Sequence, residues 1–354
     1  MRIGVPRETK EGERRVGLGP AEVSVLAAAG HEVRVERGAG LGIGVDDARF
    51  AAAGARLASA EEAWASELVV KVKEVQAAEL DRVREGPTLF GYQHLAGEPE
   101  MTRALARRRA SAVAYELVRD GRGFPLLAPM SQIAGRMAIE KARQILGRAP
   151  ARVLVLGAGH AGLAAAAASR DLGASVAVLT RSAASCDAAR ERLGPGVECG
   201  LAVPGDIERH AIEADIVVGA VFVPGTPTPK LVPRALVKRM RRGAVIADIS
   251  IDAGGVAETS RPTTHAEPTF VEEGVVHYCV ANIPAADPCA ASAALAHAAL
   301  PFVRRLASAG IEAALLADPV LRSGLVLWHG AVSHRGIAEE AGLPYTCGFA
   351  PQTP

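Results

Sequence analysis

Cysteine is scarce in this chain, with 5 among 354 residues and none in Cys-x-x-Cys spacing. That excludes a disulfide framework and a four-cysteine zinc site. Cys186, Cys199, Cys279 and Cys289 read instead as reduced structural or surface residues. Aromatic residues make up only 4%, so the core has to be built from Ala, Val, Leu and Ile. Neither sign of charge prevails: 40 Lys plus Arg face 39 Asp plus Glu, for a net charge of +1. No global field therefore draws in nucleic acid or an anionic membrane. The basic runs Arg107–Arg109 and Lys238–Arg242 read as solvated helix faces. Long apolar runs are also missing, each being broken by Gly, Pro or charge, so no membrane span is expected. The first residues lack the apolar region of a signal peptide, and the expected location is the cytoplasm.

What is present is length and hydrophobicity. A chain of 354 residues, 49% hydrophobic, exceeds the size at which one core stops growing, so two domains are expected. Strand candidates at 2–5, 31–36, 68–72, 88–92 and 111–115 alternate with helical segments at 20–29, 46–54, 61–66 and 98–108. This rhythm predicts an α/β domain over about 1–128. Pro129 opens a long helix to Leu146, stopped by Gly147-Arg148-Ala149-Pro150. Strands near 152–156, 174–179, 215–220, 244–249 and 275–278 then predict a mostly parallel sheet covered on both faces. An Ala-rich helix follows Asp287-Pro288 and runs to about 309. The expected architecture is two-domain α/β, with a Rossmann-type nucleotide-binding domain over 129–304. A discontinuous substrate and catalytic domain takes 1–128 plus 305–354.

The sharpest motif is Gly157-Ala158-Gly159-His160-Ala161-Gly162, set between the apolar run Arg152–Leu156 and an Ala-rich helix. In that setting Gly-x-Gly-x-x-Gly binds a dinucleotide. Gly157 makes the tight turn, Gly159 lets the pyrophosphate approach the backbone, and Gly162 packs helix on strand. His160 either touches pyrophosphate or faces solvent. An NAD-selective site carries Asp or Glu after the second strand, where it binds the ribose hydroxyls and repels a 2′-phosphate. Here that position reads Thr180-Arg181-Ser182. Without the carboxylate, and with a guanidinium and a hydroxyl available, NADP(H) is favoured over NAD(H). The alternative is a solvent-facing Arg181 and an NAD site of reduced discrimination.

Motifs along nearly the whole chain carry a more specific likeness. They include Gly4-Val5-Pro6-Arg7-Glu8-Thr9-Lys10, Glu13-Arg14-Arg15-Val16, Lys71-Val72-Lys73-Glu74, Gln93-His94-Leu95-Ala96 and Ala128-Pro129-Met130-Ser131. Asp248-Ile249-Ser250-Ile251-Asp252-Ala253-Gly254-Gly255, Glu258–His265 and Val276–Pro284 complete the set. In these the chain resembles the alanine dehydrogenase family, which is related to the nucleotide-binding subunit of nicotinamide-nucleotide transhydrogenase. The resemblance implies reversible oxidative deamination of a small L-amino acid, with L-alanine, pyruvate and ammonium leading. It further implies a homo-oligomer, commonly a hexamer, and no metal.

The same resemblance assigns roles. Arg15 and Lys73 bind the substrate carboxylate, a rigid fork beside a compact cation. His94 is the active-site histidine, suited to hydrogen-bond the keto oxygen and move its proton. Asp252 is the catalytic aspartate that positions ammonia or water, and domain closure assembles it with His94. Ser131, Asn282 and Ile283 lie toward the nicotinamide. The chain departs from the family at Gln93, Val75, Ala253 and Gly19. Those changes leave room for an NADP-dependent dehydrogenase or imine reductase acting on a larger 2-amino or 2-oxo acid. A non-catalytic dinucleotide-binding or transhydrogenase-like module is the third reading.

Overall fold

The computed structural model describes residues 1–121, 123–222 and 227–346. In chain order the strands are β1 (Arg2–Val5), β2 (Glu32–Glu36), β3 (Arg56–Ala58), β4 (Leu68–Val70), β5 (Thr88–Gly91) and β6 (Ser111–Ala114). They continue with β7 (Arg152–Leu156), β8 (Ser175–Thr180), β9 (Val197–Leu201), β10 (Ile216–Gly219), β11 (Val245–Asp248), β12 (Thr269–Glu272) and β13 (Val275–Tyr278). β14 (Leu325–Trp328) and β15 (Ala331–Val332) follow near the end. The chain divides into two compact units, residues 1–129 with 287–354 and residues 130–286.

The first unit holds an eight-stranded sheet in the order β15-β14-β6-β5-β4-β1-β2-β3. β1 to β6 pair in parallel, while β14 is antiparallel to β6 and to β15. β4, β5 and β6 are buried along their whole length, as expected for parallel strands covered on both faces.

The second unit holds a seven-stranded sheet in the order β12-β13-β11-β10-β7-β8-β9. Leaving out the antiparallel edge strand β12, this is the doubly wound 3-2-1-4-5-6 order of dinucleotide-binding sheets. Strand alternation divides its core into two layers. Val153, Val155, Val176, Val178 and Val245 pack on one face. Leu154, Leu156, Ala177, Leu179 and Ile246 pack on the other. Such a pattern suits helices on both sides and leaves no wet face.

Two sequence expectations need correction. The strands β3, β9, β12, β14 and β15, all at or next to sheet edges, were not anticipated. β3, β9 and β12 mix polar and apolar residues and are partly exposed, and β15 has two residues, whereas β14 is apolar and largely buried. The chain also returns to the first unit at Asp287 and not at 305. Asp287 caps the helix Pro288–Ala309 by accepting the Ala290 N–H at 3.0 Å, with Pro288 in the first turn. Ser292 Oγ on that helix accepts the Val16 N–H at 3.1 Å, tying it to the first unit from its start. No helix among the described residues is long and apolar enough to cross a membrane.

Candidate active site and dinucleotide cradle

In the first unit, β6, β5, β4 and β1 lie side by side and parallel, so their carboxyl ends open on one edge. Ligands of open α/β sheets bind at such an edge. Lys73, His94 and Glu116 follow β4, β5 and β6 directly, and Arg15 sits on the segment after β1. Topology thus gathers residues far apart in sequence.

Arg15 is 2% exposed. Its backbone N–H and Nε donate to Glu13 Oε1 at 3.0 and 2.7 Å, and another guanidinium nitrogen donates to Glu13 Oε2 at 2.6 Å. A buried carboxylate engaging one edge of the fork bidentately fixes the plane of the guanidinium. Burial would raise the Glu13 carboxyl, but the Arg15 hydrogen bonds and charge outweigh it and hold the group below its ordinary range.

Lys71 and Lys73 stand two residues apart and meet opposite fates. The Lys71 ammonium is buried between Glu79 at 2.7 Å and Glu8 at 3.5 Å, 5.2 Å from the Trp64 ring centre. Glu8 also accepts the backbone N–H groups of Val72 and Lys73 at 2.7 and 3.2 Å, pinning the chain where Lys73 begins. Lys73 itself has no ion-pair partner among the described residues; its ammonium lies 6.0 Å from the Tyr92 ring centre. Burial lowers its pKa, and the charges of Lys10 and Arg15 add to this against Glu74. Glu74, despite the burial that would raise it, is held down to about 2 by Lys10 and Lys73. Lys73 is therefore a cation pre-set for an incoming anion.

His94 has φ +46, a conformation unfavourable for a residue with a side chain. The Glu116 carboxylate stabilises it by accepting the His94 N–H at 2.6 Å and the Gln93 N–H at 3.2 Å. The imidazole stacks on Tyr92, with 5.6 Å between ring centres and 8° between planes. Tyr92 is anchored in turn by its hydroxyl donating to the Leu126 carbonyl at 2.8 Å. The His94 ring reaches solvent, yet protein crowds it enough that desolvation lowers its pKa; Glu116 opposes the shift and Lys73 adds to it. A neutral imidazole at neutral pH follows, ready to accept a proton. Since Arg15 acts on Lys73 and Lys73 acts on His94, the three candidates share one electrostatic neighbourhood. Sequence reasoning missed Glu116 and Glu13. A carboxylate just past the end of a parallel strand was the available signal for Glu116.

In the second unit the glycine turn has the geometry its role requires. Gly157 has φ +106, and a Cβ there would fall 2.4 Å from the Ala220 carbonyl oxygen. A Cβ on Gly162 would come 1.9 Å from the Gly157 oxygen. At Gly159, by contrast, nothing lies within 4 Å of the Cβ position. Gly159 is also the N-cap of the helix His160–Asp171 and offers no side-chain cap, so the first N–H groups there, including Ala161's, stay available. An open backbone face beside the positive end of a 12-residue helix fits a pyrophosphate. His160 borders a groove of about 940 Å³ with Arg136 and Arg192, on the helix flank. Burial and Arg192 lower its pKa.

Thr180 ends β8 and is buried, and its carbonyl accepts the Ala202 N–H. Arg181 is exposed and without an ion-pair partner among the described residues. Ser182 is the N-cap of the helix Ala183–Leu193: its Oγ accepts the Ser185 N–H at 3.3 Å and pairs with Ser185 Oγ at 2.9 Å. The hydroxyl expected to serve a ligand thus already has a capping role. Asp252 lies on the turn Ile249–Ala253 past β11, exposed. Asn282 (φ +54) and the buried Ile283 follow β13, so these residues and the glycine turn all belong to the carboxyl edge of one sheet. Ser131 comes instead from the first turn of the helix Ala128–Leu146.

Residues 4–134 match the family model described as alanine dehydrogenase/PNT, N-terminal domain, and residues 128–335 match its C-terminal domain. An alanine dehydrogenase from Halomonas elongata is 43% identical over 363 aligned residues, which cover 98% of each chain. Among solved structures, one of L-alanine dehydrogenase aligns with a TM-score of 0.91 at 40% identity, covering 96% of this chain and 99% of its own. A transhydrogenase from Sinorhizobium meliloti aligns with a TM-score of 0.84 at 27% identity, covering 94% and 100%.

Proposed function

Because the chain belongs to the alanine dehydrogenase/PNT family, we propose that it is a nicotinamide-dinucleotide-dependent amino-acid dehydrogenase. Its reaction is the reversible oxidative deamination of L-alanine to pyruvate and ammonium. The observation that carries the reading is the edge where Arg15 is fixed by Glu13, Lys73 is left unneutralised, and His94 is poised beside them. That set suits a small carboxylate bearing a carbonyl.

Arg15 and Lys73 grip the α-carboxylate, the guanidinium setting direction and the ammonium adding charge. When bound, the nicotinamide supplies the two-electron chemistry, taking a hydride in one direction and returning it in the other. The backbone around Gly157–Gly162, with Ser131, Asn282 and Ile283, would hold that cofactor. His94 accepts the hydroxyl proton as the carbonyl forms from the carbinolamine, and returns it to the carbonyl oxygen in the amination direction. Asp252 orients water or ammonia for the addition. The net change is L-alanine, water and oxidised cofactor to pyruvate, ammonium, reduced cofactor and a proton.

The cofactor reading favours NADP(H) over NAD(H). It is supported by Thr180 standing where a carboxylate would repel a 2′-phosphate, and by the exposed Arg181 next to it, which has no ion-pair partner among the described residues. Family membership supports a homo-oligomer, a hexamer in the first instance, which the mass of the assembly in solution would test. The direct test of function is oxidation of NADPH and NADH with pyruvate and longer 2-oxo acids, with and without ammonium. Ammonium-dependent turnover fastest with pyruvate is expected. Turnover without ammonium would overturn the deamination reading, and equal or better use of NADH would overturn the cofactor preference.

A further inference from the structure

Asp252 stands on an unpromising support. Its turn ends at Gly254 with φ +98, and the chain reverses through Gly255 with φ +77. Two consecutive left-handed glycines at an exposed turn ordinarily make a loose loop. This one is tied down on both sides by two charged side chains that are not part of the proposed chemistry.

On one side, the Lys230 ammonium donates to the carbonyl oxygens of Gly254, Gly255 (3.0 Å) and Ala257 (3.1 Å). Three carbonyls are the full complement of an ammonium's three donors. On the other side, Asp248 is completely buried at the end of β11. Its Oδ2 accepts the Val256 N–H at 2.8 Å, the Ala257 N–H at 3.4 Å and the Ser260 hydroxyl at 2.6 Å. A Cβ on Gly255 would fall 2.5 Å from that same oxygen, so the backbone presses against the carboxylate there. The Lys230 segment runs beside the loop as well. Thr228 N–H donates to Ala253 O and Leu231 N–H to Val256 O, both at 2.8 Å, and Glu258 N–H donates to Val232 O at 3.0 Å.

The Asp252 carboxylate, by contrast, has no hydrogen-bond or ion-pair partner among the described residues. A rigid support under an uncommitted carboxylate is what a group needs if it must meet a small reactant without first reorganising.

We propose that Lys230 and Asp248 are positioning residues for Asp252, one holding the carbonyls and the other the amides of its loop. They act on the reaction through that loop and touch neither substrate nor cofactor. The proposal rests on the reading of Asp252 as a catalytic residue.

The test uses the full-length enzyme and Lys230→Met, which keeps much of the side-chain length and removes all three donors. kcat for ammonium-dependent pyruvate reduction is expected to fall about 10- to 100-fold, the scale of an ångström-sized misplacement. KM for pyruvate and the reduced-cofactor dissociation constant stay within about twofold, because their ligands lie elsewhere. Amide hydrogen exchange quickens over residues 253–260 and keeps wild-type protection over 152–180. Lys230→Arg recovers part of kcat. Adding Lys230→Met to Asp252→Asn produces no further loss, since both changes act on one group. Asp248→Asn, which disturbs the amide side, repeats the kcat pattern.

Wild-type kcat in Lys230→Met would overturn the positioning role while leaving Asp252 in place. Multiplicative losses in the double variant would also overturn it, exposing a general structural contribution. Wild-type kcat in Asp252→Asn would overturn the catalytic reading of Asp252 and the positioning proposal with it.

Discussion

The two units solve the binding of an anion by different means. In the first, recognition is left to side-chain charge, and the main problem is keeping the right cation free. Glu8 and Glu79 are taken up by Lys71, and Glu74 pairs with Lys10, so that Lys73 keeps an ammonium with no ion-pair partner among the described residues. In the second, recognition is left to the backbone, and the main problem is space. Gly157 and Gly162 admit contacts that a Cβ would block, while Gly159 leaves an open face at a helix start. A small carboxylate needs directed cations to be distinguished from other anions. A pyrophosphate can be cradled by N–H groups and a helix end.

If that contrast is right, breaking the charge balance of the first unit has the largest effect. Lys71→Met strands Glu8 and Glu79, both almost wholly buried, without their cation. Loss of one partner from a buried ion pair costs about 3–5 kcal/mol. Chemical denaturation should read a loss of that size, and a loss under about 1 kcal/mol would show that the cluster is not a structural neutraliser. Next comes the backbone cradle. Gly162→Ala forces a Cβ to within 1.9 Å of a carbonyl oxygen and should cost about 1–3 kcal/mol of stability while abolishing tight cofactor binding. Gly159→Ala meets no protein atom, so it should leave the melting temperature in place and weaken only the cofactor. Equal melting shifts in the two variants would erase the distinction between packing glycine and ligand-facing glycine.

A smaller effect concerns pH. The Lys73 pKa is lowered from 10.5, chiefly by burial, and its ammonium binds carboxylate only when protonated. Affinity for pyruvate, which does not titrate in this range, should be full below the Lys73 pKa. It should fall as pH rises, with a midpoint below 10.5, and Lys73→Met should remove that limb. A midpoint at or above 10.5 would contradict the burial argument. The smallest effect belongs to the exposed Arg181. Arg181→Ala should raise KM for NADPH by a factor of about 5, worth about 1 kcal/mol, and leave KM for NADH unchanged. Equal shifts for both cofactors would remove Arg181 from the 2′-phosphate.

The same contrast explains what the sequence could be made to say. Gly157–Gly162 was legible because residue type alone encodes the backbone geometry it permits. Lys73 was legible only through a family resemblance. By itself Lys71-Val72-Lys73 presents two equivalent cations, and only Glu79 and Glu8, brought in from elsewhere, neutralise one of them. Glu116 escaped notice because it acts on backbone N–H groups across 22 residues. Lys230 was invisible for a similar reason, its three acceptors being backbone carbonyls 24 to 27 residues away. The Ala-rich helix after Asp287 was expected at its observed place. It reads as the link back to the first domain, with the boundary set at 305; that the whole helix belongs to the first unit is not legible, since small apolar residues pack against either core equally well in pattern.

The most direct measurement follows the transferred hydrogen. Pyruvate, ammonium and a reduced dinucleotide carrying deuterium at both nicotinamide C4 positions are supplied to the enzyme, and the product is read by NMR. The expected result is L-alanine carrying one deuterium at Cα, formed only when ammonium is present and lost in Lys73→Met. Deuterated lactate, or alanine without deuterium, would contradict the account.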